Sequence, residues 1–398
     1  MAKQRRPVQV LIKPASADCN LSCRYCFYLR KADLYPETKV HRMPPDVQEE
    51  MVRQIMRDGG KTPGFAYQGG EPTLMGLDYF RRSVELQMRF GANQQVANSI
   101  QTNGLLIDEE WSAFLAEYRF LVGLSLDGPA HVHDRYRLDR GGNPSHARVE
   151  RAYRVMVDHG VDVNILSVIN DYSSARPREI YRYCRGLGCE WMQFIPAVEF
   201  DPETGLLAAF SPRPDAYGEF MCEIFEEWKK DFHDGRPTVS VRLFDTLLAL
   251  HCGMSPPTCT FRPRCGNYVV IEHNGDVYSC DFFVEPEWKL GNLMERSLRT
   301  LLESPRQREF GALKADLPDA CLACEWRRFC HGGCTKDRMR SGKMGERGVD
   351  YFCESYKRIF EHTRSTMEEL KKTVMAERGW EEGRRRSAPL GHSRTPAR

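Results

Sequence analysis

Residues 8–26 read VQVLIKPASADCNLSCRYC, a stretch that begins as an apolar run and ends in three closely spaced cysteines. The run VQVLIKP at 8–14 predicts a short β-strand, because it is rich in β-branched and apolar residues. The cysteines follow in the pattern Cys19-x3-Cys23-x2-Cys26, which is an uncommon spacing for zinc. Three thiolates fill only three corners of a four-iron cluster, so one iron would stay open for a non-protein ligand. This stretch therefore predicts metal-centred chemistry in the loop after the first strand.

Five more strand-like runs follow, and amphipathic runs of helical period lie between them. The strand candidates are FAYQGG (65–70), ANSIQTN (97–103), LVGLSLD (121–127), VNILSVI (163–169) and WMQFIPA (191–197), and the helix candidates are 45–57, 79–90, 109–118, 149–159, 177–187 and 216–230. Six β–α units in succession predict an α/β fold with a parallel sheet, curled into a partial (β/α)6 barrel similar to a TIM barrel. The active site of such a barrel lies at the carboxyl ends of its strands, where the three cysteines are expected.

The rest of the chain divides into three segments. Breakers such as Ser255-Pro256-Pro257 predict a linker at 233–256, after a barrel domain at 1–232. Residues 257–370 predict a small cysteine-rich domain, in which VVIEH, Asn274-Gly275 and DVYSC form a β-hairpin. The loops there are too irregular for a large apolar core, so bound metal is expected to stabilise them. Residues 371–398 are rich in Arg, Gly, Ser and Pro and predict a disordered tail.

Composition narrows the functional class. The chain has 398 residues, with 57 basic and 55 acidic side chains, and this balance argues against a dedicated binder of nucleic acid or of membrane surfaces. No apolar run reaches the roughly 20 residues of a membrane span, and the apolar stretch near residue 10 is too short for a signal peptide. These features predict a cytoplasmic protein. In a reducing compartment its 15 cysteines are expected to bind metal or to react rather than to form disulfides.

The other cysteines form a late group and four scattered positions. The late group could fill two closed four-cysteine sites, either 4Fe–4S clusters or tetrahedral zinc, since Cys321-x2-Cys324 resembles a zinc half-site. Its members are Cys259, Cys265, Cys280, Cys321, Cys324, Cys330, Cys334 and Cys353. The four scattered residues are interpreted as ordinary small core side chains, and they are Cys184, Cys189, Cys222 and Cys252.

The segment from Cys19 to Cys26 resembles the cluster-binding loop of radical S-adenosylmethionine enzymes, and Gly69-Gly70-Glu71-Pro72 resembles their methionine-binding segment. In that family the open iron binds the amino and carboxylate groups of S-adenosylmethionine, which is cleaved to methionine and a 5′-deoxyadenosyl radical. The resemblance implies that Glu71 pairs with the ammonium of this cofactor. It further implies that Tyr25 and Val198 lie near the adenine and that the backbone of Gly70 contacts the cofactor. Gln101, with Asn103, is expected to line the cavity. Ser125, Asp127 and Arg137 are expected to bind the ribose and the methionine carboxylate.

The second half of the chain resembles the SPASM extension, with its nearest likeness in anaerobic sulfatase-maturating enzymes. That extension carries two auxiliary 4Fe–4S clusters. The resemblance implies that one is bound by Cys259, Cys265, Cys280 and Cys334, and the other by Cys321, Cys324, Cys330 and Cys353. The two sets interleave, which spacing alone does not show. With four protein ligands each, both clusters are expected to transfer electrons.

Asp281 directly follows a proposed ligand in Tyr278-Ser-Cys280-Asp281-Phe282-Phe283. The resemblance implies that it is the general base in oxidation of a Cys or Ser to Cα-formylglycine. Apolar neighbours are expected to raise its pKa, which makes a carboxylate a better base near neutral pH. The implied partners are a sulfatase polypeptide with a Cys-x-Pro-x-Arg type motif and a small electron donor such as flavodoxin or ferredoxin.

Two other functions remain open at this point. One is a SPASM enzyme that cross-links or epimerises another ribosomal peptide, and the pair Cys280-Asp281 favours sulfatase maturation over it. The other is a zinc-binding regulatory or scaffold module, in which the cysteines are purely structural.

Overall fold

The computed structural model describes residues 7–200, 206–338 and 348–387, and most of its strands join in one ten-stranded sheet. The strands are β1 (Val10–Lys13), β2 (Gly64–Tyr67), β3 (Ala97–Thr102), β4 (Leu121–Ser125), β5 (Asp162–Ile169), β6 (Trp191–Pro196), β7 (Phe232–His233), β8 (Arg236–Pro237), β9 (Ser240–Val241), β10 (Val269–Glu272), β11 (Asp276–Tyr278) and β12 (Lys289–Asn292).

The helices lie mostly between consecutive strands of this sheet. They are α1 (Pro45–Asp58), α2 (Leu77–Phe90), α3 (Glu109–Glu117), α4 (Ala130–His133), α5 (His146–Asp158), α6 (Pro177–Gly186), α7 (Pro214–Lys230), α8 (Arg242–His251), α9 (Leu298–Leu302), α10 (Pro305–Ala315), α11 (Asp319–Leu322), α12 (Arg327–Cys330) and α13 (Cys353–Ser387). None of the described helices combines the length and the apolar character needed to cross a membrane.

The sheet has the strand order β12-β11-β10-β1-β2-β3-β4-β5-β6-β9. Strands β1 to β6 run parallel in chain order, which confirms the predicted succession of β–α units. The predicted hairpin is also present, since β10 and β11 pair antiparallel across the turn at Asn274-Gly275. Each parallel crossover contains a helix, as the geometry of such connections requires.

The cysteine-rich domain is continuous with the barrel, because β10 pairs in parallel with β1 along its whole length, from Val10↔Val269 to Lys13↔Glu272. The sequence predicts two separate domains, whereas the sheet runs through both of them. This pairing brings the hairpin before Cys280 next to the strand that precedes Cys19.

The central strands separate an apolar face from a more open one. In β4, Val122 and Leu124 are fully buried and belong to the main core, while Gly123 and Ser125, which alternate with them, are half-buried. The same alternation holds in β3 and β5, as expected for strands whose successive side chains point to opposite faces. The fully buried face packs against helices, so the half-buried face, which is more polar, lines the interior of the barrel.

Helix α1 illustrates how the outer layer is held. Val47, Met51 and Ile55 are buried at helical spacing, and Pro45 occupies the first turn, where its missing N–H costs nothing. Burial of each such side chain contributes about 1.5–3 kcal/mol relative to leaving it exposed.

Residues 233–256, predicted to be a linker, are instead part of the fold. Strand β9 pairs with β6 at the edge of the sheet, and α8 follows it directly. The Trp228 indole N–H donates to the Val239 carbonyl (2.6 Å), and Phe244 and Leu247 are buried. Pro256 and Pro257, which suggested a linker, lie in the short loop between α8 and Cys259.

Helix α13 extends into the segment 371–398 that the sequence predicts to be a tail. Helix α13 continues past residue 371 to Ser387, and Met367 and Leu370 anchor it in the core. The Glu, Lys, Ala and Arg residues that follow are strong helix formers, so the helix can continue where apolar contacts become sparse. Residues 388–398 of the predicted tail lie outside the described residues.

Candidate active site

The loop that carries Cys19, Cys23 and Cys26 is hydrogen-bonded to a second segment, residues 136–140. The Ser22 amide donates to the Leu138 carbonyl (2.8 Å), and Leu21 and Asp139 form an antiparallel bridge. These bonds satisfy backbone groups that would otherwise be costly to leave unpaired in a partly buried loop. The three cysteines therefore project from a fixed backbone.

The thiols of this loop are set for binding a cation. Cys23 is buried, while Cys19 and Cys26 are half-buried. Burial raises the pKa of the Cys19 thiol to about 12, with a further contribution from the Glu71 carboxylate, and burial raises the pKa of Cys23 to about 11. Such thiols stay protonated at neutral pH unless a positive charge compensates their ionisation, as cluster iron would do.

Gly70 lies directly against the backbone of the cysteine loop. Its amide donates to the Ser16 carbonyl (2.8 Å), and the next amide, that of Glu71, donates to the Asp18 carbonyl (2.7 Å). A Cβ atom on Gly70 would lie 2.0 Å from the Asp18 carbonyl oxygen, so no larger residue fits. A glycine is needed at position 70 because the backbone there lies directly against the backbone of Asp18. The first segment leads to Glu71 and the second to Cys19, both of which are proposed site residues.

Glu71 is buried, and its carboxylate is bonded within the fold. Oε1 accepts from the Thr73 amide (3.0 Å), the Thr73 hydroxyl (2.7 Å) and the Thr102 hydroxyl (2.8 Å), and Oε2 accepts from the Asn103 amide (2.8 Å). Burial raises the pKa of Glu71, and these hydrogen bonds oppose that rise. The carboxylate that the resemblance assigns to the cofactor's ammonium thus also joins the end of β2 to the end of β3, and Oε2 accepts only one of these four hydrogen bonds.

Tyr25, Asp127 and Arg137 form one buried cluster beside Cys23. The Arg137 guanidinium makes two hydrogen bonds to Asp127, Nε to Oδ2 (2.9 Å) and Nη2 to Oδ1 (3.0 Å), and the Tyr25 hydroxyl donates to Oδ2. The Val168 amide also donates to Oδ1 (2.8 Å). Arg137, which the resemblance assigns to a methionine carboxylate, therefore uses Nε and Nη2 to bind Asp127 in this structure. The hydrogen bond to Asp127 also fixes the Tyr25 ring within the cysteine loop.

Gln101 and Ser125 lie on neighbouring strands and on the interior face of the barrel. The Gln101 side-chain amide donates to the Ser125 hydroxyl (3.1 Å), and a Cβ atom on Gly123 would lie 2.1 Å from Gln101 Oε1. The glycine therefore makes room for the glutamine. Asn103, at the end of β3, donates to the Asn20 side chain (2.7 Å) in the cysteine loop.

Val198 is buried just beyond β6 and connects the barrel to the cysteine-rich domain. Its carbonyl accepts a hydrogen bond from the Lys336 ammonium, which also pairs with Glu199 (2.7 Å). The same ammonium lies 5.0 Å from the centroid of the Phe282 ring. Lys336 thus brings the proposed adenine contact close to the segment that contains Asp281.

Asp281 is buried, and its two oxygens differ. Oδ2 accepts a hydrogen bond from the Tyr28 hydroxyl, whereas Oδ1 has no hydrogen-bond partner among the described residues. The nearest ammonium is that of Lys13, 4.0 Å from Oδ1. Burial raises the pKa of Asp281, while the positive charge of Lys13 and the Tyr28 hydrogen bond oppose that rise. The arrangement leaves a basic oxygen free to accept a proton.

Two lysines, Lys13 and Lys31, bind groups that surround the Asp281 carboxylate. The Lys31 ammonium donates to the carbonyl oxygens of Asp281 (3.2 Å) and Phe282 (2.9 Å). Lys13 is fully buried, pairs with Glu272 (2.7 Å) and lies over the Tyr28 ring, 4.5 Å from its centroid. Both lysines therefore link the region of the first cysteine loop to the region of Cys280.

The first set of late cysteines comes together around Cys280. Burial raises the pKa of Cys280 to about 12, and the neighbouring Cys259 and Cys265 thiols contribute to the rise. Burial likewise raises the pKa of Cys334, with further contributions from Asp337, Cys280 and Cys259. These mutual contributions place the four thiols within electrostatic range of one another, although Cys334 follows Cys321, Cys324 and Cys330 in the chain.

The second set surrounds a cavity of about 200 Å³. The cavity is lined by all four of its cysteines, Cys321, Cys324, Cys330 and Cys353, together with Trp326, Arg327, Tyr356, Lys357 and Phe360. Burial raises the pKa of the Cys330 thiol to about 12. Glu354 also lines the cavity and pairs with Lys357 (2.9 Å), so Arg327 is the remaining basic side chain there. Four thiols that line one partly apolar cavity fit an iron–sulfur cluster.

The four scattered cysteines lie apart from these groups. Cys184, Cys189 and Cys222 are buried, with Cys184 and Cys189 close to each other in the main core, and Cys252 is half-buried at the end of α8. Their environment agrees with their interpretation as ordinary core residues.

Sequence reasoning missed Tyr28, Lys13, Lys31 and Glu272. Lys13 gives one local signal, since it is a charged residue at the end of an otherwise apolar strand. Nothing in the neighbourhood of Tyr28 or Lys31 indicates that either contacts a segment more than 200 residues away.

Comparisons with known proteins agree with this arrangement. The Radical SAM superfamily matches residues 14–184, and the iron–sulfur cluster-binding domain SPASM matches residues 259–325. The chain is 36% identical to a serine-type anaerobic sulfatase-maturating enzyme of Bacteroides thetaiotaomicron, over 93% of this chain and 92% of that one. It is 37% identical to a cysteine-type enzyme of Clostridium perfringens, over 89% of this chain and 96% of that one.

A solved structure has the same fold. It is described as native anSMEcpe with bound AdoMet and Cp18Cys peptide, and it aligns with a TM-score of 0.85 and 36% identity, over 92% of this chain and 99% of that one. The family match covers barrel and cysteine-rich domain together. The chain therefore belongs to the anaerobic sulfatase-maturating enzymes, which are radical S-adenosylmethionine enzymes with a SPASM domain.

Proposed function

We propose that this enzyme oxidises the Cβ of one Cys or Ser, within a Cys-x-Pro-x-Arg type segment of a sulfatase, to Cα-formylglycine. The observation that carries the proposal is the environment of Asp281. Its carboxylate is buried beside Cys280 and held through Oδ2 by Tyr28, while Oδ1 accepts no hydrogen bond in the described part of the chain and lies 4.0 Å from the Lys13 ammonium. A base for this reaction must be fixed in position and still able to accept a proton.

The residues present fit three clusters and one S-adenosylmethionine. The radical-generating cluster would be bound by Cys19, Cys23 and Cys26, the first auxiliary cluster by Cys259, Cys265, Cys280 and Cys334, and the second by Cys321, Cys324, Cys330 and Cys353. S-Adenosylmethionine would contact Tyr25, Gly70, Glu71, Gln101, Ser125, Asp127, Arg137 and Val198. When bound, these groups supply the 5′-deoxyadenosyl radical that removes one hydrogen atom from the target carbon, and an acceptor for one electron.

Asp281 supplies the remaining step, the removal of a proton. Its free oxygen Oδ1 takes the proton of the target thiol or hydroxyl, which makes the substrate a far stronger electron donor. Loss of one hydrogen atom, one proton and one electron converts a Cys side chain to a thioaldehyde. Hydrolysis by one water then gives the aldehyde and releases hydrogen sulfide. A Ser side chain gives the aldehyde directly.

The enzyme needs a one-electron donor, and we place the reaction in the cytoplasm. Flavodoxin or ferredoxin is the class of donor suited to a low-potential cluster. A reducing compartment keeps the 11 cysteines that are proposed as cluster ligands, of the 15 in the chain, available for binding. The two types of relative, named for serine and cysteine, are nearly equally similar to this chain, so identity does not favour one target residue over the other.

The test is an anaerobic assay with purified, reduced enzyme, S-adenosylmethionine and two short peptides, one with Cys and one with Ser at the target position. We expect 5′-deoxyadenosine and a peptide aldehyde from at least one of them, measured by mass spectrometry. Formation of 5′-deoxyadenosine without modification of any sulfatase-type peptide would instead favour the cross-linking or epimerising enzymes. Predominant zinc, in place of about twelve iron atoms per chain, would reject both enzyme functions.

A further inference from the structure

Three arginines are exposed around the first cysteine loop: Arg24, Arg135 and Arg140. We call this group the arginine patch. Arg24 lies between Cys23 and Tyr25 in the chain, and the Arg140 side chain donates to the Cys19 carbonyl (2.7 Å). The patch thus lies at the surface immediately beside the proposed radical-generating cluster.

Hydrogen bonds between two backbone segments bring the three arginines close together in the fold. The Arg24 amide donates to the Tyr136 carbonyl (3.2 Å), next to Arg135, and the antiparallel bridge between Leu21 and Asp139 lies next to Arg140. Because both segments belong to the ordered framework of the site, the backbone positions of the three arginines are fixed relative to one another.

None of the three arginines of the patch forms an ion pair with Asp or Glu in the described ranges 7–200, 206–338 and 348–387. The carboxylates nearby bond to other groups. Asp139 pairs with Arg148 (2.9 Å), Asp171 accepts the Tyr136 hydroxyl (2.7 Å), and Asp134 accepts two backbone amides (2.9 Å each). The whole chain carries a formal charge of only +2, so this local excess does not reflect a generally basic surface.

Two of the arginines are also held in position. The Arg135 guanidinium lies 4.8 Å from the centroid of the Tyr172 ring, and Arg140 is fixed by its bond to the Cys19 carbonyl. A positioned guanidinium loses less conformational entropy when it binds a carboxylate, so such residues suit recognition of acidic surfaces.

We propose that the arginine patch is the docking surface for an acidic one-electron carrier protein of the flavodoxin or ferredoxin class. This inference rests on the proposed function, because it assigns the carrier to the cluster of Cys19, Cys23 and Cys26. One electron leaves the reduced carrier, which is oxidised, and enters that cluster, and no covalent bond forms or breaks. Redox partners form small, weak and rapidly exchanging interfaces, for which steering by a few unpaired charges is sufficient.

Nucleic acid fits this surface poorly, because its binding depends on many phosphate contacts along an extended basic track. The sulfatase substrate must also approach the site, because its target segment has to reach Asp281. The experiment distinguishes binding of the carrier from binding of this substrate.

The experiment uses anaerobic holoenzyme with Arg24→Glu and Arg135→Glu combined. Arg140 is left unchanged because it is bonded to the Cys19 carbonyl. The matched control reverses two exposed arginines outside the patch, Arg119→Glu and Arg151→Glu, of which Arg119 lies at the opposite ends of the strands, just before β4. Binding of a purified flavodoxin is measured on a surface biosensor over a range of salt concentrations. Formation of 5′-deoxyadenosine without peptide is then measured with reduced flavodoxin and, separately, with dithionite.

We expect the patch variant to bind flavodoxin at least about tenfold more weakly at low ionic strength, with a flatter salt dependence than the unaltered enzyme. Its dithionite-driven rate is expected to be unchanged, and the control variant is expected to match the unaltered enzyme in both assays. Unchanged flavodoxin binding would overturn the proposal, and so would an equal loss with dithionite. A raised KM for the sulfatase peptide with normal flavodoxin binding would assign the patch to the substrate instead. Because neither main readout needs a peptide, failure of the proposed function would be visible separately, as absence of any aldehyde.

Discussion

The Tyr28 hydroxyl donates a hydrogen bond to the carboxylate of Asp281, which lies 253 residues further along the chain. Tyr28 belongs to the short 3-10 helix that follows Cys26, and Lys31 of the same helix donates to the carbonyls of Asp281 and Phe282. The short helix that follows Cys26 therefore positions Asp281, the proposed base. This coupling keeps the site of hydrogen abstraction and the site of proton removal in one rigid arrangement.

Asp281→Asn is expected to keep all three clusters and to lose aldehyde formation by about 10²–10⁴-fold, because an amide cannot take the substrate proton. The measurement is aldehyde and 5′-deoxyadenosine from the same reaction, with iron content as the control. Cleavage of S-adenosylmethionine is expected to continue in this variant. Full aldehyde formation by Asp281→Asn would reject the assigned role.

Tyr28→Phe removes the hydrogen bond to Oδ2 and leaves the aromatic ring in place. A hydrogen bond to a charged group contributes about 1.5–3 kcal/mol, so we expect kcat for aldehyde formation to fall roughly 10- to 100-fold, with KM for the peptide little changed. Tyr35→Phe is the matched control, since its hydroxyl bonds to that of Tyr278 (2.9 Å) rather than to Asp281. Equal effects of the two substitutions would show that Tyr28 acts only on the fold.

Lys13→Met is expected to destabilise the protein by about 3–5 kcal/mol, because it leaves Glu272 buried without its partner. Burial would raise the pKa of Glu272, but Lys13 reverses this and lowers it to about 2, from an ordinary value of 4.5. The ion pair therefore stabilises the fold fully above pH 4.5, and this contribution is lost as the pH falls toward 2.

The effect of Lys13→Met on the denaturant midpoint should accordingly be larger at pH 7 than at pH 4, with tryptophan fluorescence as the probe. The double variant Lys13→Met with Glu272→Gln is expected to recover part of the lost stability at pH 7. A loss of stability that is independent of pH would contradict the assigned ion pair.

Gly70→Ala is expected to weaken S-adenosylmethionine binding by at least about tenfold, because the new methyl group would lie 2.0 Å from the Asp18 carbonyl oxygen and force the two loops apart. Gly64→Ala, in the strand just before, has no atom within 4 Å of the added Cβ and serves as the control. Equilibrium binding of the cofactor to both variants checks this. Equal affinity in the two proteins would show that the approach of Gly70 to the cysteine loop is not needed for the site.

The assignment of 11 cysteines to three clusters predicts the iron content of cysteine variants. Cys334→Ala is expected to lose about four of roughly twelve iron atoms, and Cys222→Ala is expected to keep all of them. Cys222 is a buried residue of α7, and its replacement by Ala should lower the free energy of unfolding by only about 1 kcal/mol. Iron and sulfide analysis of anaerobically purified protein decides this. Loss of iron from Cys222→Ala, or its full retention in Cys334→Ala, would require a different division of the ligands.

The local elements were predictable because their signals are local. The alternation in VNILSVI, the helical spacing of apolar residues in α1 and the Asn-Gly turn before DVYSC each depend on residues a few positions apart. Where the sequence misled, at 233–256, chain breakers suggested a linker. The helix formed there, α8, depends on burial of Phe244 and Leu247 against other parts of the fold.

The sequence by itself determined the chemistry of this protein, since Cys19-x3-Cys23-x2-Cys26 on a run of β–α units predicts an open iron site in a barrel, and the resemblance it carries implies the reaction. Only the tertiary structure decided how distant groups meet. It joins β10 to β1, pairs Lys13 with Glu272 across 259 positions, gathers Cys334 with Cys280, and attaches Asp281 to Tyr28. The reason is physical: periodicity reports which face of an element is buried, but the partner on that face is chosen by packing between segments hundreds of residues apart.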